Sequence, residues 1–398
     1  MGVSNNMNIS LKIVYGMVLS AALYACSSDN MLSSTVDAVR GAISYSPCQR
    51  EDGDKWGLVD LQGNFIADGM FDNMPTNVVF DHFFVMDKDS LYTLYTISPT
   101  VKYVNDRKYQ DVGFFSCGLC PVVTLDGHIE YIRYDGSTAI NLSTLDGIDI
   151  TEAGVFHDER AVIVSDKGVG FIDTEGNLVK NTWYMSVMNY SEGKAVVMGL
   201  EQEGLHPADR RESIINKDGI SIFTMPRFRH PLDGFREGLL PAHQRTEPGV
   251  FYLYNEKGEE TAVLNCDSFN PVSNGKFAFT MLIKGKDGTI KHKWGLMDIT
   301  GNIMAEPKYD HISDNGHVYI GYSNKSVWLI NEKGEKIKRL DASRTSLHRE
   351  AYKDYDKSII LIDSAGYGRF ADAMGNVIKP DLKLKHIEQN IQNMVCSE

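Results

Sequence analysis

The chain has 398 residues, of which 42% are hydrophobic and 10% aromatic, and its formal net charge is −13. This length and apolar content are enough for a packed core. Because affinity for a phosphate backbone needs clustered Lys and Arg, the acidic balance argues against a nucleic-acid partner.

Residues 1–25 are predicted to be a lipoprotein signal peptide. Lys12 precedes an apolar run, Ile13 to Leu23, which is shorter than the roughly 20 residues of a membrane-spanning helix. The sequence Leu23-Tyr24-Ala25-Cys26 follows and resembles a bacterial lipobox, in which the cysteine receives the lipid. An ordinary secretory signal with an accidental cysteine is the alternative interpretation.

Cleavage before Cys26 would leave this residue acylated, and several acyl chains on one residue give stable anchoring. Residues 26–42 are predicted to be a polar tether. Within it, Ser27-Ser28-Asp29-Asn30 resembles the acidic export tags of surface lipoproteins in the Bacteroides group. We therefore expect a lipid-anchored protein of the bacterial cell envelope, at the outer membrane and either periplasmic or surface-exposed.

A repeated phrase dominates the remainder of the chain. Lys55-Trp56-Gly57-Leu58-Val59-Asp60-Leu61-Gln62-Gly63 recurs as Lys293-Trp294-Gly295-Leu296-Met297-Asp298-Ile299-Thr300-Gly301. Each copy ends in a turn of the form Asp or Asn, two residues, Gly, in which the first side chain bonds the backbone and the glycine accepts a positive φ. The residues expected to maintain the repeat are Trp56, Gly57, Asp60, Gly63, Trp294, Gly295, Asp298 and Gly301.

About nine such turns occur at a spacing of roughly 39 residues, which is typical of four-stranded propeller blades. A second motif, exemplified by Tyr190-Ser191-Glu192-Gly193, precedes a further short apolar strand. We predict an all-β propeller of seven or eight blades over residues 43–380, closed by a strand near Ala42 to Ser46 that pairs with the last unit. An open β-solenoid is the alternative.

The repeated unit resembles that of the WG-repeat family, most closely from Lys293 to Asp310 and also in the first copy. The resemblance extends over residues 50–380. It implies a β-repeat architecture with a binding role, and it implies no active site.

The end of the chain has a different pattern. Apolar residues at Leu384, Ile387, Ile391 and Met394 stand at helical spacing, so residues 381–398 are predicted to form a short amphipathic helix packed on the β domain.

Motifs that carry chemistry are scarce. Cys117-Gly118-Leu119-Cys120 is a C-x-x-C, but its place in a repeat predicts a strand at Cys120, which favours packing over a redox or metal pair. The acidic loops at 51–54 and 87–89 lack the spacing of a calcium loop. The chain contains no nucleophile elbow, zinc-protease, P-loop or dinucleotide motif. We therefore expect no catalytic residue, no cofactor and no metal site.

The preferred hypothesis is a non-catalytic, lipid-anchored binding or scaffold protein that recognises protein or glycan through a repeat surface. The alternative is an envelope hydrolase of glycan or peptide with its site in the propeller channel. Trp183 beside Tyr184 either stacks on a ligand or packs between blades, and packing is favoured. The basic cluster from Arg227 to His230 is interpreted as a solvated surface.

Overall fold

The structure, a computed structural model, describes residues 13–14, 45–206, 209–285, 288–314, 317–347 and 359–387. Two 3-10 helices, Val179–Asn181 and Leu200–Gln202, are the only helices in these ranges, and all other regular elements are strands. The prediction of an all-β protein is confirmed. The predicted signal peptide, Cys26 and the tether lie outside the described residues, except that Ile13–Val14 pairs in parallel with Ala153 and Gly154.

Within the described residues, the strands from Tyr45 onward form nine successive antiparallel units. Units 3, 5, 6, 7 and 8 each have four strands in the order of the chain. These are Asp111–Val112, Cys120–Val123, Ile129–Ile132 and Thr138–Asn141; Tyr184–Val187, Lys194–Gly199, Ser213–Asn216 and Ser221–Thr224; His230–Pro231, Leu239–His243, Val250–Asn255 and Glu260–Asn265; Ser268–Phe269, Lys276–Lys284, Ile290–Asp298 and Ile303–Tyr309; and His311–Asp314, Tyr319–Ser323, Ser326–Ile330 and Lys336–Leu340.

The other four units deviate from this pattern. Unit 2 has three assigned strands, unit 4 starts with an additional short hairpin, unit 9 has three strands, and unit 1 takes strands from both ends of the described chain. Their strands are His82–Met86, Tyr92–Ile97 and Val101–Tyr109; Thr144–Leu145, Ile148–His157, Arg160–Ser165 and Gly168–Ile172; Arg344–Leu347, Ile359–Ile362 and Gly368–Ala371; and Leu384–Lys385, Tyr45–Arg50, Trp56–Asp60 and Phe65–Phe71.

Unit 1 closes the ring. Leu384 pairs with Arg50, and Lys385 pairs with Gln49, so the end of the chain supplies the first strand of the unit in which the domain begins. Leu384 also pairs with Gly368 of unit 9. Closure of this kind removes the two free edges that an open array of strands would expose. The closed ring favours the propeller over the open solenoid.

The core has the same ring organisation. In the part of the chain that the structure describes, the buried apolar residues form nine clusters, and each cluster draws its members from two successive units. One of them joins Ile360 and Phe370 of unit 9 to Cys48 and Val59 of unit 1. The apolar faces of the strands are therefore buried between neighbouring sheets, as in a repeat protein whose units cannot bury their faces alone.

Two details of the sequence interpretation require correction. The units number nine, rather than the seven or eight blades predicted, because every predicted turn belongs to a separate unit. The described part of the segment 381–398 contains the strand Leu384–Lys385 and not a helix. Leu384 and Ile387 are buried because unit 1 needs a first strand at this place, and residues 388–398 lie outside the described part.

Candidate functional site

The repeated Asp turns fix the backbone between the third and fourth strands. The Asp60 carboxylate accepts the N–H groups of Gln62 and Asn64 at 2.9 and 2.7 Å. Asp298 does the same for Thr300 and Asn302, at 2.9 and 3.0 Å. Gly63 and Gly301 follow with φ of 74° and 86°, a region that glycine adopts without strain. These acidic side chains serve the turn and are already engaged there.

The Trp-Gly pair marks a bulge on the facing strand. Trp294 pairs with Tyr309 while Leu296 pairs with Ala305, so three residues of the fourth strand loop out opposite Gly295. A methyl group on Gly295 would lie 2.4 Å from the Ala305 carbonyl oxygen, and the value at Gly57 against Ala67 is 2.3 Å. Only glycine permits this approach of two backbones.

The tryptophans of the repeat pack between units. Trp294 contacts the ring of His311 in the next unit edge-on, with centroids 4.8 Å apart. Trp56 packs against the cluster between units 1 and 2, and its ring lies 5.4 Å from that of His386. Trp183 is half-buried against the cluster between units 3 and 4, in agreement with the packing interpretation.

Antiparallel order divides the ring into two faces. In each unit the turn between strands one and two lies on the same side as the turn between strands three and four, and we call this side the turn face. Lys194 and Lys276, which follow the first kind of turn, form ion pairs with Glu256 and Glu332 in the second kind of turn of the next unit, at 2.5 and 3.0 Å. The opposite side, which carries the connections between strands two and three, is called the loop face.

One hairpin turn on the turn face has the same geometry in units 2 to 7. In units 3, 5, 6 and 7 it joins strands one and two; in unit 4 it joins Ile148–His157 to Arg160–Ser165, and in unit 2 it precedes His82–Met86, where Val79 forms a bridge with His82. Both central residues have positive φ, as in a type I′ hairpin turn. The central pairs, which we call the inner turns, are Phe80–Asp81, Cys117–Gly118, Asp158–Glu159, Glu192–Gly193, Glu237–Gly238 and Asn274–Gly275.

Carboxylates connect four of these inner turns in series. Asp158 accepts the N–H of Gly193 at 2.6 Å. Glu192 accepts both N–H groups of the inner turn Glu237–Gly238, at 2.5 and 2.8 Å. Glu237 accepts both N–H groups of Asn274–Gly275, at 2.6 and 2.7 Å. Hydrogen bonds to an ionised acceptor are among the stronger ones, so this carboxylate series holds units 4 to 7 in register on the turn face.

The series does not include units 2 and 3. Phe80 stands where the equivalent residues of units 4 to 6 are acidic, and 43% of it is exposed. Its ring lies 6.4 Å from that of Tyr134, which stacks on His82 at 4.7 Å. Burial lowers the pKa of His82, so this ring is neutral near pH 7. We call Phe80, His82 and Tyr134 the aromatic patch.

Other residues singled out in the sequence have local roles. Cys117 is exposed in a turn, Cys120 is buried on a strand, and neither forms a disulfide with another described cysteine. Burial raises the pKa of the Cys120 thiol well above its usual value, which makes it unreactive. Among the described residues, no group of three or more His, Cys, Asp or Glu side chains is arranged to hold a metal ion.

The basic cluster on the loop face is paired within the chain. Arg227 forms an ion pair with Asp209, and Arg229 lies over the ring of Tyr252 at 3.3 Å. His230 contacts Glu212 at 3.1 Å. In the described ranges, no helix is long and apolar enough to span a membrane.

Comparison with known proteins agrees with this architecture. Residues 294–316 match the family model described as WG containing repeat. These residues extend from the Trp-Gly pair of unit 7 into the start of unit 8. The chain is thus a β-propeller of repeated units, and unit 7 carries a WG containing repeat. No curated protein matches the chain in sequence.

Three solved structures are similar to the chain at low sequence identity. A structure described as the eukaryotic initiation factor has 12% identity and a TM-score of 0.53, with 86% of this chain and 97% of that chain covered. BamB from Moraxella catarrhalis has 13% identity and a TM-score of 0.38, with 79% and 94% covered. The WD40 beta propeller domain of Doa1 has 12% identity and a TM-score of 0.28, with 89% and 99% covered. The first of these similarities shows a shared fold.

Sequence reasoning missed the aromatic patch. The inner turn of unit 2 lacks glycine and the aromatic-Ser pattern, so it does not stand out as a copy of the motif around Glu192. Alignment of Val79-Phe80-Asp81-His82 with Ser191-Glu192-Gly193-Lys194 would have placed Phe80 opposite an acidic residue. That mismatch is the signal that was available.

Proposed function

We propose that the protein is a non-catalytic binding or scaffold protein, held at the bacterial cell envelope by a lipid on Cys26, which recognises a protein through the turn face. The lipobox-like sequence supports the anchor. The observation that carries the binding role is the aromatic patch on the turn face, where the exposed ring of Phe80 lies against the half-buried rings of Tyr134 and His82. Such a surface loses little conformational freedom on association, and aromatic side chains contribute large contact area.

Features of the WG repeat are present outside unit 7. Unit 1 repeats the Trp-Gly pair, the Asp turn and the bulged fourth strand of unit 7, with register shifts at the same positions. The remaining units keep the strand order with fewer of the residues. We infer that all nine units derive from one repeat whose role is to build two broad faces.

The binding role is tested with a substitution in the aromatic patch that leaves the fold intact. The full-length protein with an affinity tag is used to capture partners from envelope extracts, beside Phe80→Ala on the turn face and Leu125→Ala on the loop face. Leu125 is 57% exposed, which makes it a matched control for the loss of surface apolar area. We expect Phe80→Ala to lose captured protein by about tenfold and Leu125→Ala to retain it. Equal capture by both variants would contradict the proposal.

A further inference from the structure

The two backbone N–H groups in the inner turn of unit 3 lack the carboxylate partner that their equivalents in units 6 and 7 have. In units 6 and 7 the paired N–H groups of the inner turn hold a glutamate carboxylate from the preceding unit. In unit 3 the corresponding groups belong to Cys117 and Gly118. Among the described residues, no side chain or carbonyl accepts a hydrogen bond from either N–H group.

The geometry of the three turns is nearly the same. The φ angles are 53° and 80° at Cys117–Gly118, 53° and 74° at Glu237–Gly238, and 52° and 71° at Asn274–Gly275. Successive N–H groups in this conformation form a concave anion site, or nest. Since the same backbone holds a carboxylate at 2.5 to 2.8 Å in units 6 and 7, the donors in unit 3 are already placed for one.

The preceding unit does not fill this site. Its inner turn presents the ring of Phe80 where units 5 and 6 present Glu192 and Glu237. A phenyl ring cannot accept the two N–H bonds as a carboxylate does. Cys117, which carries one of the two N–H donors, is exposed. The site is thus accessible, and it borders the aromatic patch.

We propose that the Cys117–Gly118 turn binds a glutamate or aspartate side chain of a protein partner, with the aromatic patch contacting the apolar part of the same segment. The protein's own use of glutamate in two equivalent turns favours an acidic peptide over other carboxylates. This inference deepens the proposed function, since it names the chemical group that the turn face recognises.

The site is tested by NMR on the full-length chain carrying Cys26→Ser, which cannot be acylated. The ligands are N-acetylglutamate α-amide, its neutral analogue N-acetylglutamine α-amide, and glucuronate. We expect the Gly118 amide signal to shift saturably with the glutamate derivative and the glutamine derivative to bind at least about tenfold more weakly. The Gly238 amide, already held by Glu192, serves as the internal control and should not shift.

The matched variant is Phe80→Glu, which supplies the missing intramolecular carboxylate. We expect this variant to move the Gly118 signal in the absence of ligand and to abolish its response, whereas Phe80→Leu retains the response with a several-fold weaker affinity. An unchanged Gly238 signal reports that each variant is folded. The ligand responses of the Gly118 and Gly238 amides can also be compared in the chain without a Phe80 substitution, so the test remains valid if a Phe80 variant fails to fold.

Three results would overturn the inference. They are a Gly118 signal that ignores the glutamate derivative, an equal response in Phe80→Glu, and tighter binding of glucuronate, which would assign the site to an acidic glycan. Failure here is distinct from failure of the binding role, because capture of a partner through Phe80 does not require the Cys117–Gly118 donors.

Discussion

Gly295 shows how one residue type permits the repeat. The Ala305 carbonyl oxygen lies so close to Gly295 that a methyl group there would be only 2.4 Å from it. We predict that Gly295→Ala lowers the free energy of unfolding by about 3 kcal/mol, since the bulged fourth strand must shift to relieve the contact. Thermal or urea unfolding measures the loss.

The control for this substitution is Gly204→Ala. A methyl group at Gly204 meets no atom within 4 Å, so the same chemical change should leave stability nearly unchanged. Equal effects of the two substitutions would show that the Trp-Gly pair has no special steric role.

His157 gives the protein a pH dependence of stability. It is a buried residue whose Nε2 has no hydrogen-bond partner among the described residues, and burial lowers its pKa from 6.5 to about 4. A lowered histidine pKa means that the unfolded chain takes up the proton first as the pH falls. The contribution is therefore intact above pH 6.5 and is lost between pH 6.5 and 4, by about 3 kcal/mol in total.

We predict that His157→Gln flattens this part of the stability profile. The measurement is urea unfolding at several pH values between about 4 and 7.5, with exposed His128→Gln as the control because it should keep the slope. A slope identical to that of the unsubstituted protein in His157→Gln would show that another group causes the acid sensitivity.

The sequence predicted the turns of the repeat better than the contacts between units. The Asp or Asn turns are local, because the side chain bonds backbone groups two and four residues ahead, and such contacts can be read from sequence. The role of Phe80 depends on what the next unit offers at Cys117–Gly118. A contact between units is not encoded in the spacing of either segment, so the aromatic patch was not predicted.

At the scale of elements, the two-residue strand Leu384–Lys385 has an effect out of proportion to its length. It completes unit 1 and contacts unit 9, and the side chain of Leu384 is fully buried. We predict that a stop after Asp381 destabilises the protein by about 4 kcal/mol or more, because a buried leucine and Ile387 are lost together with the strand pairing. Thermal unfolding and the radius of gyration in solution report the change.

The matched control for that truncation is a chain that ends after Ile387. It keeps every described strand, so its melting temperature should stay close to that of the full chain. If both truncations behave alike, the closing strand contributes nothing to stability.

The helix predicted for this segment illustrates a general difficulty. Leu384 and Ile387 are three residues apart, a spacing that a short segment can bury in either helix or irregular strand. The strand is favoured because it pairs with Gln49 and Arg50, which lie more than 330 residues away in sequence. Local periodicity cannot reveal such a partner.

For the molecule as a whole, the periodic glycine turns were sufficient to predict a repeat β fold, and the propeller is confirmed. The number of units was underestimated, although about nine turns are recognisable in the sequence and the turn of unit 2 at Ser98–Thr100, which has no glycine, is among them. Unit 1 is also divided between the two ends of the described chain, so neither end looks like a complete repeat.

The lipid anchor remains a prediction of the sequence. In a bacterium that acylates lipoproteins, we expect the full chain to fractionate with membranes and Cys26→Ser to shift to the soluble fraction. Cys117→Ser is the control, since it removes an exposed thiol of the β domain and leaves the lipobox intact. Metabolic labelling with a fatty acid that survives in Cys26→Ser would contradict the assignment.

Because unit 1 is built from both ends of the described chain, it also affects how the protein folds. Its second strand is synthesised among the first residues of the domain, and its first strand among the last. Until Leu384 and Lys385 have been synthesised, the strand edge at Gln49 and Arg50 has no pairing partner from this segment. Two chains refolding side by side can therefore trade their final strands and emerge as an interlocked dimer, and the yield of such dimers should rise with protein concentration during refolding.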